Sequence, residues 1–152
     1  MKAMKIKRKF IRFWNMWPPF LFSGIKIMHM SPDFREIRVK LKLRWWNANF
    51  VGTQYGGLLY SLADPFYMIM LLENLGPEYI VWDKTATIKF IKPGRTDVKA
   101  NFVLEEADLE MVKKEVSEFG KTLFNKDIKI LDLNNELIAV VSKTIYIKKK
   151  GD

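Results

Sequence analysis

The sequence predicts an α+β domain in which one antiparallel sheet of about six strands wraps around a central α-helix. Three observations carry that reading. Residues 34–44 alternate, with Ile37, Val39, Leu41 and Leu43 on one face and Arg38, Lys40, Lys42 and Arg44 on the other. Period two with one wet face is the pattern of an antiparallel strand. From about Leu58 to Leu75 the chain is hydrophobic on nearly every side, as befits a helix enclosed by other structure. Finally, the strands follow one another without β-α-β alternation, which argues against a doubly wound parallel sheet.

The elements follow in order. Residues 3–16 predict a short basic helix, with Ile6, Phe10 and Phe13 or Trp14 near helical spacing among lysines. Asn15 and the Pro18-Pro19 pair end it. Such a helix either packs over its own domain or lies on a membrane surface. Residues 25–30 and 34–44 form a hairpin through the Ser31-Pro32-Asp33 turn. Residues 47–57, with Gly52, Gly56 and Gly57, read as a loop, and Gly76-Pro77 ends the central helix. Strands resume over 81–91 and 97–105, joined by a Pro93-Gly94 turn. The charged stretch 107–118 fits a surface helix or a bulged strand extension. A last hairpin pairs 121–132 with 136–148 through Asn134-Asn135. No repeat or linker interrupts the chain, so residues 1–152 read as one domain with a basic extension over 1–17.

Composition narrows the chemistry. With 152 residues, 49% of them hydrophobic, the chain is large enough for a substantial core. No apolar run approaches the roughly 20 residues of a membrane span, and no signal-peptide core follows the basic start, so a cytoplasmic location is expected. There is no cysteine, which removes disulfides and thiolate chemistry. His29 is the single histidine, and no Gly-x-Ser-x-Gly elbow supplies a serine for a triad. No metal-ligand spacing is visible. The net charge of +9 favours polyanions: nucleic acid, anionic lipid or phosphate-bearing coenzyme A.

Between Arg44 and Glu73 the only side chain ionised at neutral pH is Asp64, flanked by Leu62, Ala63, Phe66 and Met68. That setting predicts an interior carboxylate. Burying one unpaired costs several kcal/mol, roughly, so Asp64 must cap, pair or do chemistry. Pro65 leaves two options. Asp64 caps a helix that begins at Pro65, or the helix runs through and Pro65 kinks it by removing a bond to Ser61.

The spacing Asn49-x-x-Gly52-x-x-x-Gly56-Gly57-x6-Asp64 resembles the signature of hotdog-fold thioesterases of the phenylacetate-degradation type. The WWN, GGxLY, ADPFY and KPGR elements between Pro18 and Gly94 extend the resemblance to an uncharacterised branch of that superfamily. The resemblance implies a hotdog fold and hydrolysis of an acyl-coenzyme A or acyl-carrier thioester by a homodimer, or by a tetramer of two such dimers. No cofactor is implied beyond the coenzyme A of the substrate. Gly56 and Gly57 would offer backbone N–H groups to an oxyanion, Asn49 would orient substrate or water, and Asp64 would be general base or nucleophile. Tyr55 stands where many members carry His, so Tyr55 or Gln54 takes that role or it is absent. Asp83 falls near a position where members often carry a water-orienting hydroxyl. It either acts on Asp64 by like-charge repulsion or pairs with Lys84. Lys92 and Arg95, flanking Pro93-Gly94, would meet phosphates of coenzyme A.

Gly57 and Asp64 are seven positions apart, about 10 Å along a helix. Asp64 therefore serves the glycine pair of a second chain. Trp45, Trp46, Phe50, Phe66, Tyr67 and Trp82 either stack on bases or adenine or pack within the protein, packing being the commoner use. Two alternatives stand beside the hydrolase: a non-catalytic acyl-coenzyme A or fatty-acid-binding protein, and a protein whose basic N-terminus contacts a membrane surface or nucleic acid, nucleic acid not being the expected partner.

Overall fold

Alternating segments pair into one sheet, and most of its strands bury an apolar face in the core. The computed structural model describes residues 11–151. Its strands are β1 (Ile25–Met30), β2 (Glu36–Leu41), β3 (Tyr79–Phe90), β4 (Val98–Val103), β5 (Lys121–Asp132) and β6 (Leu137–Lys149). They form one six-stranded sheet in the order β1-β2-β4-β5-β6-β3, antiparallel throughout. The edges are β1 and β3.

β2 buries Ile37, Val39 and Leu41, as the alternation predicts. It is shorter than expected at both ends. Phe34 adopts a φ of 56° within the turn, and the Ser31 hydroxyl accepts the Arg35 and Glu36 N–H groups, each at 2.9 Å. At the other end Asp97 Oδ1 accepts the Leu43 N–H at 2.9 Å, which draws the chain out of the ladder after Leu41. Lys40 holds the same carboxylate at 2.9 Å.

The central helix is not the single element expected over residues 58–75. It is α3 (Gly56–Ala63) followed by α4 (Phe66–Leu75), parted at Asp64-Pro65. The cause is local. Pro65 has no N–H for the Ser61 carbonyl, which receives the Asp64 N–H at 3.4 Å instead. The Pro65 carbonyl then starts α4 by accepting the Ile69 N–H at 3.0 Å. Pro65, not Asp64, occupies the N-cap position of α4, and no side chain caps it. α4 is enclosed on most sides, burying Phe66, Tyr67, Ile69, Met70, Leu71 and Leu75. Phe66 and Tyr67 pack on Phe102 with ring centroids 4.9 and 5.3 Å apart, a range favourable for aromatic pairs. Trp45, Trp46, Phe50 and Trp82 are exposed instead, so the packing expectation holds for only part of that aromatic set.

Three further helices complete the description. α1 (Ile11–Trp14) lies within the expected N-terminal helix. The rest of that expectation, residues 3–10, falls outside the described residues. The Pro18-Pro19 pair also begins α2 (Pro18–Ser23), since proline fits a first turn whose N–H groups need no helical acceptor. The charged stretch is a helix, α5 (Glu106–Phe119), with a Glu105–Asp108 capping box at its start and Gly120 at φ 73° at its end. It lays Leu109, Val112 and Val116 on the core. Among the described residues no helix is long and apolar enough to cross a membrane.

Candidate active site

The expected site residues fall into two clusters, one at each end of α3. The first is the mouth of the helix. Tyr55 is its N-cap, in extended conformation, and its carbonyl accepts the N–H groups of Leu58 and Leu59. Gly56 and Gly57 form the first turn. Among the described residues their N–H groups donate to no acceptor, the ordinary state of a helix start.

Both glycines lie against aromatic rings. A methyl group on Gly56 would come within 3.0 Å of Phe90 Cζ, and one on Gly57 within 2.8 Å of Tyr55 Cε1. Gln54, just ahead of them, is buried and donates to the Thr96 carbonyl at 2.9 Å. Its N–H donates to the Gly94 carbonyl at 2.8 Å. The 92–95 turn is thus docked on the approach to the helix, with Arg95 exposed and Lys92 paired to Glu136 at 3.2 Å.

Asn49 organises the loop before this mouth. Its Oδ1 accepts the Val51 and Thr53 N–H groups at 3.1 and 3.0 Å, and its Nδ2 donates to Thr53 Oγ1 at 2.9 Å. An open groove of about 700 Å³ lies alongside, its wall including Phe22, Trp45, Trp46, Asn49, Phe50 and Tyr55.

The second cluster is Asp64, Asp83 and Lys143. Asp64 is not interior: its side chain is 48% exposed in the single chain. Its charge is answered by Lys143, whose side chain is 0% exposed. Lys143 Nζ lies 2.6 Å from Asp83 Oδ2 and 3.5 Å from Asp64 Oδ1, and it donates to the Asp64 backbone carbonyl. Asp83 therefore pairs with Lys143 across the β3–β6 ladder rather than with its neighbour Lys84. An ammonium has three donors; here two go to the Asp64 carbonyl and Asp83 Oδ2, and Asp64 Oδ1 stands at ion-pair distance.

The Tyr60 hydroxyl, one turn before Asp64, is held above the usual phenol range by burial, and further by the Asp64 and Asp83 carboxylates. It remains a proton donor at neutral pH. Among the described residues no group of three or more His, Cys, Asp and Glu side chains is gathered to hold a metal ion.

Sequence reasoning missed Lys143 as a functional residue, although a signal was present. In β6 it shares the period-two face of Val141, Ile145 and Ile147, all 0% exposed. A lysine in that column must find acceptors inside the protein.

A family model described as a domain of unknown function, DUF4442, matches residues 7–147. The chain belongs to the DUF4442 family. No curated protein matches it in sequence.

Solved structures show which fold this DUF4442 chain shares. A Pseudomonas aeruginosa protein of unknown function, termed a probable thioesterase, superposes with a TM-score of 0.84 at 19% identity, over 96% of this chain and 98% of that one. A thioesterase from Haemophilus influenzae gives 0.68 at 14% identity, over 98% and 95%. The PaaI protein of the E. coli phenylacetic acid degradation operon gives 0.59 at 16% identity, over 92% and 89%. This DUF4442 domain therefore has the hotdog fold, as the resemblance implied.

Proposed function

We propose that this protein hydrolyses an acyl thioester carried by coenzyme A or an acyl-carrier group. The observation that carries the reading is the pair of Gly56 and Gly57 N–H groups, without an acceptor among the described residues, at the start of α3 next to a groove lined by Tyr55 and Leu58. Such donors, aided by the helix dipole, suit a carbonyl oxygen that becomes an oxyanion. Asp64 supplies the base. Its carboxylate takes a proton as water oxygen adds to the thioester carbon. Collapse of the tetrahedral intermediate breaks the C–S bond, and the departing sulfur recovers that proton.

Asp64 follows the last residue of the same α3 whose first turn holds the glycines, about 10 Å away along an ideal helix. The reaction is therefore assigned to a homodimer, with Asp64 of one chain beside Gly56 and Gly57 of the other. Asn49 shapes the loop before the donors. Lys92 and Arg95, at the turn docked on Gln54, would meet phosphates of coenzyme A, and the aromatic groove would accept the apolar part of the substrate.

Thiol release from a panel of acyl-coenzyme A thioesters tests this directly, because the chain contributes no thiol of its own. Wild-type protein should release thiol from at least one member. Asp64→Ala should remain folded and lose hydrolysis by about 100-fold or more. Equal turnover by the variant overturns the assignment of Asp64. Tight binding in calorimetry with no thiol released favours an acyl-coenzyme A-binding protein instead.

A further inference from the structure

The geometry points to Lys143 as the positioning residue of the proposed site: it fixes Asp64 at the break between α3 and α4 and holds it beside Asp83. The inference rests on the hydrolase reading above, since it assigns a role relative to Asp64.

Three observations support it. First, the ammonium is fully buried on a central strand, between Val141 and Ile145 on the same face. A charge there is costly unless paired, and an apolar side chain of similar volume is commonly as stable or more so once its partners are neutral as well. Fold stability alone therefore gives no reason to choose lysine.

Second, Lys143 binds the chain where the helical ladder is interrupted. Pro65 removes the hydrogen bond that would hold this turn, and Lys143 Nζ donates to the Asp64 carbonyl at that point. Asp83, 2.6 Å from the same nitrogen, ties the contact to β3. The backbone of the acid is thus anchored to two strands of the sheet, while its carboxylate stays half-exposed.

Third, the cluster is not fully satisfied. Asp83 Oδ1 is buried and has no hydrogen-bond partner among the described residues. It is an acceptor left open inside the cluster. Two acids beside one another repel unless a cation lies between them, and Lys143 is that cation.

The experiment compares four proteins on the thioester panel: wild type, Asp83→Asn, the double variant Lys143→Met with Asp83→Asn, and Lys143→Cys. Lys143→Met alone would leave the largely enclosed Asp83 carboxylate without its cation and is prone to unfold. The double variant removes both charges and keeps the fold testable. It should melt within a few degrees of Asp83→Asn yet show kcat lower by about tenfold or more, with KM within about twofold, as expected when a reacting group is misplaced. Lys143→Cys introduces the sole thiol of the chain. Unmodified, it leaves Asp83 without its cation, so it is assayed only after alkylation with bromoethylamine in the unfolded state and refolding, which rebuilds a lysine-like ammonium and should return kcat to near wild type.

Equal kcat in the double variant and Asp83→Asn overturns the inference, as does a parallel fall of kcat and melting temperature. Failure of the alkylated protein to recover, when it refolds, does so too. An active wild type with any of these results leaves the hydrolase reading standing. Silence of the wild type on every thioester removes that reading, and the role of Lys143 with it.

Discussion

Glycine at position 57 marks a place where a side chain would obstruct rather than destabilise. The three atoms nearest to a methyl there all belong to the Tyr55 ring, the first being Cε1 at 2.8 Å, and Tyr55 is exposed and can swing. Helix propensity favours alanine over glycine by up to about 1 kcal/mol. Gly57→Ala should therefore keep its melting temperature while kcat/KM falls by about 100-fold, because the displaced ring and the new methyl both crowd the donor N–H groups. Thermal melting and thiol release on the same preparation check both halves. Asp64 was legible as unusual from its isolation in an uncharged stretch, but its exposure was not. Charge isolation along the chain carries no information about a partner 79 positions away. The lysine that answers Asp64 was hidden for the opposite reason: it sits in a basic chain where one more cation attracts no notice.

Among the elements, the strands were the most legible, because alternation in sequence is burial in the sheet. Ile37, Val39 and Leu41 of β2, and Val98, Ala100 and Phe102 of β4, are buried as their spacing requires. The ends were less so, since they depend on distant side chains such as Asp97, which takes the Leu43 N–H. The helix break belongs to the same class: proline announces a disturbance, but whether the chain kinks, starts afresh or breaks in two depends on what receives the freed groups. The 92–95 turn is the element on which the glycine mouth leans. A methyl on Gly94 would stand 2.8 Å from Gln54 Cγ and 3.3 Å from Ile138 Cγ2. Gly94 and both neighbours are buried, so neither can yield cheaply. Gly94→Ala should lose about 1–3 kcal/mol of stability by overpacking, read as a lower midpoint in urea unfolding.

On the scale of the whole molecule, β3 is an edge strand of 12 residues carrying exposed Trp82 and Phe90. A long edge with exposed aromatic side chains is an unusual surface for an isolated chain, and it suits the homodimer that the proposed chemistry requires. A two-fold dimer with shared sites makes a quantitative prediction. Co-refolding equal amounts of Asp64→Ala and Gly57→Ala gives mixed dimers for half of the assemblies. Each mixed dimer has one intact site of two, so activity should recover to roughly a quarter of wild type. A mixture no more active than its parents means that each chain is self-sufficient. The hotdog assignment survives either result, because it rests on the sheet, its helix and the superposed neighbours.

The enclosure of Lys143 also makes it a witness. Its amine faces Asp83 of the edge strand and contributes no surface to solvent, whereas the other lysines of β6, Lys148 and Lys149, lie at its end. An acetylating reagent can reach it only in moments when β3 has peeled from β6 or the break in the helix has lifted. The extent of labelling at this one position would then count how often the folded protein breathes open at the proposed site.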